Sequence, residues 1–579
     1  MQLLTFSGSS LYCRGASVVV DIEDISESSF AVSDATISFL LAISQLAESE
    51  KCEFVWKEAD PNSNNLNEKL FAKAWASLCI YAGCDVFLYG GQQVDNGCSL
   101  YVCCTDVDVA KSIAIFLIKV LAEKREYSEP ATKVFGSFIQ SIRHLIPGTS
   151  TKHLVATAWK LGIPYRKIFG PNMIAFGAGR NSKIFNAQAP GDDGHHGTLI
   201  SRNKHKSKLL FAKIGLPVTN SLLVKPSDSV ENIPDDFFPC VVKPIDGEQG
   251  RGVYVNLGRK SDLSRAIQKA ASTTNLPLMV ERQITGDDIR LLVCRGELLV
   301  AVKRAKPVVI GDGVKSIADL VRVENLKRSA SGHEQEKKSQ ISLNEEAVDY
   351  LFTQGFALDH IPGDGEIINV RGTPHGTHGG DMIDVTYEVH PEIISLAILG
   401  SERIDAALCG LDYISVDHTK SPAETGGVFL EINTFPGLKP IELLADRDRL
   451  NCMQKILGKA AIRLDILVLI GPSSVDFIGL KESVIGERTA WYCDGRVGFG
   501  RYIEGKKTTN VSVPIAYERC ILDSRADRLA FFLTSDEFRR HGLPCNKVDK
   551  VVVVNPGTYS GEIRDLLKRV SNVYEETLL

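Results

Sequence analysis

"VVKPIDGEQGRGVYVN", residues 241–256, decides how this chain is read. A β-branched run closes on Lys243, a glycine-rich turn follows, and a second apolar run begins at Val253. Glycine-rich turns between strands are common, so the stretch alone reads either as a hairpin tip or as a cover for phosphate. What separates the two is whatever else the chain offers an anion.

A length of 579 residues exceeds one ordinary core and predicts two to four domains. The apolar share of 44% and charged share of 24% are those of a soluble globular protein. A net charge of -5 supplies no basic face for general nucleic-acid binding. The 14 cysteines include no CxxC pair, which predicts buried thiols in a reducing compartment rather than disulfides or zinc. The start, "MQLLTFSGSSLYCRG", has no basic n-region followed by an apolar h-region. Apolar runs such as "SIAIFLIKVLA" (112–122) are too short and interrupted to span a bilayer. The expectation is a cytoplasmic protein with no membrane partner.

Three segments differ in pattern. Residues 1–160 read as an α+β module, with "VSDATISFLLAISQLAE", "NEKLFAKAWASLCIYAG" and "VDVAKSIAIFLIKVLAEK" as half-buried helices and "CDVFLYGG" and "SLYVCCTD" as strands. Residues 161–460 alternate Val/Ile-rich strands with Gly turns: "CVVKPI", "GVYVNL", "PLMVERQI", "IRLLVCRGELLVAVKR", "LDYISVDH" and "GVFLEIN". Within them "SDLSRAIQKAAS" reads as a helix with Ser261 as N-cap, and the charged stretch 324–340 as a solvated excursion. Residues 461–579 begin with the strand "DILVLIG" and end in a strand, turn and helix, a small α/β layer. No GxxxxGK[ST] occurs, so no P-loop is expected.

The strongest chemical signal is "GVFLEINTFPG" (427–437). Side chains alternate along a strand, so Glu431 and Asn433 share a face and present two oxygen donors to a hard cation. Asp417, in "LDYISVDH", stands at the end of a neighbouring strand and completes an oxygen set suited to Mg²⁺. Beside such a set the opening stretch gains a meaning. Lys243 faces the same space, and the turn holding Gly247, Glu248, Gln249, Gly250 and Gly252 can lay backbone N–H groups over phosphate. Lys204 stands just before a further helix, Glu281 ends the strand of "VERQI", and Arg290 follows within "DDIRLLV". An arginine in such a strand is either paired in the core or aimed at an anion, and the anion is the favoured alternative.

The order of these elements resembles the ATP-grasp superfamily: a lysine before a helix, lysine-proline with a glycine lid, "VER", then Asp followed by Glu-x-Asn. "VVKPIDGEQGRGV", "RAKPVVIGDGVKSIADLV", "GGDMIDVTYEVHP" and "FLEINTFPGL" are similar more closely to the cyanophycin synthetase family, over about residues 165–445. The bifunctional glutathione synthetases share much of the pattern. The resemblance implies a multidomain α/β and α+β chain with a central ATP-grasp fold and an N-terminal α+β module. It also implies a C-terminal Mur-ligase-like remnant without its P-loop, serving as a structural remnant or an oligomer contact.

By the same resemblance Lys204 and Lys243, with the lid, would contact ATP phosphates and Glu281 the adenosine end. Asp417, Glu431 and Asn433 would hold Mg²⁺. Arg290, Arg304 and Arg371 would steady the transferring phosphoryl or acyl phosphate, and Gly379 and Gly380 would shape the acceptor pocket. Two departures stand out. His375 and His378 occupy "HGTHGG" where the family has Asn-Leu-Ser-Thr-Gly-Gly, which bears on substrate identity, and Asn203 replaces the Asp before the first lysine.

The function implied is an ADP-forming, ATP-dependent carboxylate–amine ligase, homo-oligomeric, that joins amino acids or β-Asp-Arg-type dipeptides through an acyl phosphate. A ligase for another small product, such as a γ-glutamyl or capped dipeptide, is the alternative that the histidines support. A non-catalytic scaffold is the third reading. Against the scaffold, Lys204, Lys243, Asp417, Glu431 and Asn433 are all present together.

Overall fold

The computed structural model describes residues 2–6, 8–10, 17–22, 34–44, 53–57, 66–94, 97–123, 131–247, 250–330, 339–372, 374, 379–503, 510–559 and 561–577. The chain forms two compact units, Met1–Ala187 with Leu457–Leu579, and Gln188–Ile456. Among the described residues no helix is long and apolar enough to cross a membrane. The 12 described cysteines are all buried thiols.

The first unit is discontinuous in sequence. Its N-terminal half is a five-stranded sheet ordered Gln2–Phe6, Ser17–Ile22, Gly97–Cys104, Val86–Val94, Glu53–Lys57. Only the last pairing is parallel. The expected amphipathic segments form the helices Asp34–Ser44, Leu66–Tyr81 and Val107–Glu123, and these bury Leu40, Trp75, Ile113 and Leu117 in one core with Val18 and Val102 of the sheet.

The C-terminal half is larger than the layer expected, a seven-stranded sheet. Its parallel centre runs Thr489–Cys493, Arg528–Thr534, Asp465–Gly471, Val548–Val554 and Ser571–Thr577. Strands buried on both faces explain the continuous run "DILVLIG", because helices cover both sides of such a sheet. Hydrogen bonds join the halves: Leu543 N–H donates to Ser9 O at 2.8 Å, and the Arg463 guanidinium donates to Gly162 O at 2.6 Å.

The second unit carries the chemistry on two antiparallel sheets. The four-stranded sheet runs Ser221–Val224, Leu278–Arg282, Cys240–Pro244, Tyr254–Leu257. The helix Lys260–Ala271 packs on it through Leu263, Ala266 and Ile267. Ser261 is therefore not the N-cap: the extended Arg259 is, since its carbonyl accepts the Asp262 and Leu263 N–H groups at 3.1 and 3.0 Å.

The five-stranded sheet runs Asp381–Asp384, Glu297–Ala305, Asp287–Cys294, Leu408–Ser415, Val428–Asn433. Alternation divides its faces. Ile289, Leu291, Val293, Leu411 and Ile432 enter a core with Phe211 and Leu216, and with Ile393 and Ala397 of the helix Pro391–Arg403. The opposite face carries charge.

The stretch 324–340 is not simply solvated. Residues 324–330 are the last turns of the helix Ile317–Ala330, and 331–338 lie outside the described residues. Arg328 on that helix is only 6% exposed, because its guanidinium donates to Gly379 O at 2.9 Å and Ser339 O at 3.1 Å.

A side chain at Gly8 would place its Cβ 2.4 Å from Leu543 O and 2.6 Å from Cys545 N, both backbone atoms of the seven-stranded half. Gly8→Ala is expected to push the halves of the first unit apart, costing about 1–3 kcal/mol by overpacking. A lower Tm together with faster cleavage near residue 8 in limited proteolysis is the expected result.

Candidate active site

The site is built on sheet register. Arg290 lies opposite Asp412, Asp412 opposite Glu431, and Asp288 opposite Arg304. Asp288 and Arg290 are two residues apart on one strand, so all of these side chains stand on one face. Asp412 Oδ1 is 2.8 Å from Arg290 Nη1, and its Oδ2 is 3.0 Å from Arg304 Nη2. Arg304 also donates to Asp288 Oδ1 from Nε at 2.8 Å and from Nη2 at 2.5 Å.

Burial alone would raise the Asp412 carboxyl, but the two guanidinium groups outweigh it and hold it below the usual range. Asp288 goes the other way. Burial pushes it up to about 6, with the Asp412 charge adding and Arg304 opposing. Two carboxylates sharing one guanidinium cannot both be fully stabilised.

The four-stranded sheet and the helix Lys204–Lys213 supply three lysines. Lys204 and Lys208 are four residues apart, so they leave the same helix face. Asn203 caps that helix, its side chain accepting Lys206 N–H at 3.0 Å, so its replacement of Asp keeps the cap. Lys204 Nζ donates to Gly247 O at 2.5 Å and pairs with Glu431 Oε2 at 3.1 Å. Glu281 is 3% exposed and is held between Lys243 and Lys208, each at 2.7 Å. Thr219 also donates to Glu281, at 3.1 Å, while its hydroxyl accepts from Lys208.

Burial would raise Glu281, yet the two ammonium groups bring it down to about 2. Lys208 bears the cost, brought down to about 8 by burial despite Glu281. Lys243 is raised, since Glu281 and Glu431 outweigh its burial.

The glycine turn is fixed from two sides. Lys204 holds Gly247, and Gly252 N–H donates to Glu346 Oε1 at 3.1 Å. Gly250 and Gly252 have φ of 74° and 70°, and a Cβ on Gly252 would lie 2.6 Å from Thr273 Oγ1. Glu248 and Gln249 lie outside the described residues.

Other expected positions fall as follows. Asn433 shares the face of Glu431, and its amide oxygen accepts Phe435 N–H at 2.8 Å. Asp417 does not join them: it lies two residues past the strand end, beyond Ile414 opposite Val428 and so at the far end of the pair from Asn433, its carboxylate accepting Thr419 N–H at 3.0 Å and Thr419 Oγ1–H at 2.6 Å. Oxygen donors of this kind suit a hard cation. Among the described residues, however, no three His, Cys, Asp or Glu side chains stand close enough to hold a metal.

Arg371 belongs to a different cluster. It is 3% exposed and donates to Ser342 O, Asn344 Oδ1 and Glu346 Oε2 at 3.1, 2.6 and 3.0 Å, so it acts on the glycine turn through Glu346. Gly379 and Gly380 lead directly into the strand Asp381–Asp384 beside Arg304, and His375 and His378 lie outside the described residues.

Sequence reasoning missed Asp288, Asp412 and Lys208. Signals existed: Asp288 alternates with Arg290, Asp412 sits five residues before Asp417, and Lys208 follows Lys204 at helical spacing.

Residues 201–307, which include Lys204, the glycine turn, Glu281, Arg290 and Arg304, match the RimK-like ATP-grasp domain family. The chain carries an ATP-grasp domain. It is 30% identical to the cyanophycin synthetase of Trichormus variabilis over 294 residues, 50% of this chain and 32% of that protein. It is also 30% identical to the glutathione biosynthesis bifunctional protein of Mannheimia succiniciproducens over 246 residues, 42% of this chain and 32% of that protein. The chain thus spans about a third of the length of the curated relatives it matches. A bifunctional glutathione synthetase structure from Pasteurella multocida aligns over 60% of this chain and 53% of its own, at 22% identity and a TM-score of 0.39.

Within the ATP-grasp domain Glu281 is the buried anion that Lys208 and Lys243 share. Glu281→Gln leaves Lys208 and Lys243 buried without an anion, and a loss of about 3–5 kcal/mol at pH 7 is expected. The sign with pH follows from the depressed value. A carboxyl at about 2 when folded adds stability above its ordinary value of 4.5, and this is lost as pH falls toward 2. Urea denaturation at pH 7 and pH 3 is expected to show a smaller acid penalty in the variant than in the parent.

Proposed function

We propose that the protein is an ATP-dependent carboxylate–amine ligase that joins amino acids or β-Asp-Arg-type dipeptides and releases ADP. The observation that carries this reading is Lys204. One ammonium joins the glycine turn at Gly247 O to Glu431 on the five-stranded sheet, so phosphate-type and cation-type groups meet at one point.

Lys204, Lys243 and the backbone of the glycine turn would bind the nucleotide phosphates. Glu431 and Asn433 would hold Mg²⁺, which would supply charge neutralisation on the phosphates. A substrate carboxylate attacks the terminal phosphoryl group, and Arg290 and Arg304, already oriented by Asp412, face the charge that develops. The acyl phosphate is then attacked by an amine, with Gly379 and Gly380 flanking the acceptor. A glycine turn anchored by Lys204 and Glu346 would keep water from the acyl phosphate.

This reading keeps the three-part division near residues 160 and 460, with the last part a Mur-ligase-like remnant. It also keeps a homo-oligomer that has no nucleic-acid partner.

The test is ADP release by the purified protein with Mg²⁺-ATP and a panel of single amino acids, β-Asp-Arg, γ-glutamyl peptides and a short cyanophycin primer. Release with β-Asp-Arg plus primer, with product masses stepping by one dipeptide, is the expected result. Lys243→Ala and Glu431→Ala are each expected to lower turnover by at least 100-fold, since such electrostatic groups are worth about 10²–10³ in rate. Full turnover in both variants would overturn the assignment.

A further inference from the structure

An amino group reaches a ligase as an ammonium ion, and an ammonium ion cannot attack an acyl phosphate. A proton acceptor is needed between the phosphate end of the site and the acceptor end. The order of the five-stranded sheet puts a carboxylate there. Glu431, the partner of Lys204, is on the strand at one edge, and Gly379 and Gly380 run into the strand at the other. Asp288 is on the middle strand, opposite Arg304, whose own partner on the edge strand is Met382. Both bonds from Arg304 fall on Oδ1 of Asp288, and the side chain is 15% exposed.

We infer that Asp288 is the base that takes a proton from the incoming ammonium group, an inference that rests on the ligase reading above. The groups facing Asp288 are Arg304 from one neighbouring strand, Asp412 from the other, Arg290 on its own strand, and Lys306 just past the Arg304 strand. Burial and Asp412 raise it to about 6 against the arginines, which makes it a stronger base than an ordinary carboxylate while it stays ionised at neutral pH. Its place beside Arg304 puts the proton acceptor next to the group that faces the leaving phosphate.

The step balances. The ammonium N–H bond breaks and its proton goes to Asp288, leaving a neutral amine. The amine nitrogen bonds to the acyl carbon, and the bond from that carbon to the phosphate oxygen breaks with its electron pair leaving on phosphate. The nitrogen gives its second proton to the departing phosphate. Asp288 returns its own proton to solvent before the next turnover.

Hydroxylamine separates this role from a merely structural one, because it is already uncharged at neutral pH and traps an acyl phosphate as a hydroxamate without needing a base. The wild type and Asp288→Asn are given Mg²⁺-ATP, a pool of carboxyl donors (the common amino acids, β-Asp-Arg and its trimer), and either hydroxylamine or the amines of the same pool. The expected result is peptide formation at least 100-fold lower in Asp288→Asn, with hydroxamate formation falling far less. In the wild type the peptide rate is expected to lose activity below pH about 6, and the hydroxamate rate, compared at equal concentrations of uncharged hydroxylamine, is not.

Asp288→Glu, which keeps a carboxyl, is expected to recover part of the peptide rate. If Asp288→Asn yields neither product, the ratio of peptide to hydroxamate in Asp288→Glu decides, and an unchanged ratio overturns the inference. Peptide and hydroxamate falling in parallel likewise overturns Asp288 as the base while leaving the ligase reading intact. No hydroxamate from the wild type with any donor overturns the ligase reading, and this inference with it.

Discussion

Asp412 is the group on which the charged face of the second unit depends. It is 6% exposed and stands on a strand whose neighbours present Arg290 and Glu431 directly opposite. A carboxylate so far from water is stable only if its oxygens are occupied, and here each oxygen faces a different guanidinium. The constraint works in both directions. Arg290 and Arg304 are long side chains that would sample many rotamers on an open sheet, and a shared, buried anion removes that freedom. Two arginines are thereby held at defined positions on the sheet.

The same logic, applied to the four-stranded sheet, gives the cluster around Glu281. Lys243 and Lys208 come from a strand and a helix with no local reason to approach each other, and one buried carboxylate accepts both. Replacing such a cluster by apolar side chains would often be neutral or favourable for stability, so its presence is weak evidence of a purely structural purpose. What the cluster does is fix Lys243 at the strand end that leads into the glycine turn. Lys204, on the same helix face as Lys208, then connects that turn to Glu431. Each cation that could meet a phosphate is thus held by an anion that is held by something else.

Much of this was legible in the chain. Alternation in "GVFLEIN" and "DDIRLLV" placed Glu431, Asn433 and Arg290, and the lysine-proline pair with its glycines marked the turn. Register across strands was not legible, because it depends on pairings that no single segment specifies. That is why Asp412, which meets Arg290 and Glu431 only through pairing, escaped notice, while Asp417, past the far end of that strand, read as the neighbour of Glu431. The discontinuous first unit was hidden for a related reason. Contacts such as Leu543 N–H to Ser9 O join residues more than five hundred positions apart, and neither residue type signals a partner. Arg371 and Arg328 read as anion ligands or solvated charge, whereas both hold backbone carbonyls, a role that needs only a nearby loop and leaves no composition signal.

Charge bookkeeping across the face bears on what the site can accept. Lys204, Lys208, Lys243, Arg290, Arg304 and Lys306 are opposed by Glu281, Glu431, Asp412 and Asp288, leaving an excess of two positive charges while Asp288 is ionised. A nucleoside triphosphate carries more negative charge than that excess can offset. Fixed cations already committed to buried carboxylates cannot be released without leaving those carboxylates unpaired, which is the costlier alternative. In the ligase reading the remaining neutralisation would arrive with the nucleotide, and the oxygen donors of Glu431 and Asn433 would suit a divalent ion. Lys204 is shared between Glu431 and a neutral carbonyl, and in the ligase reading it would exchange that carbonyl for a phosphate oxygen.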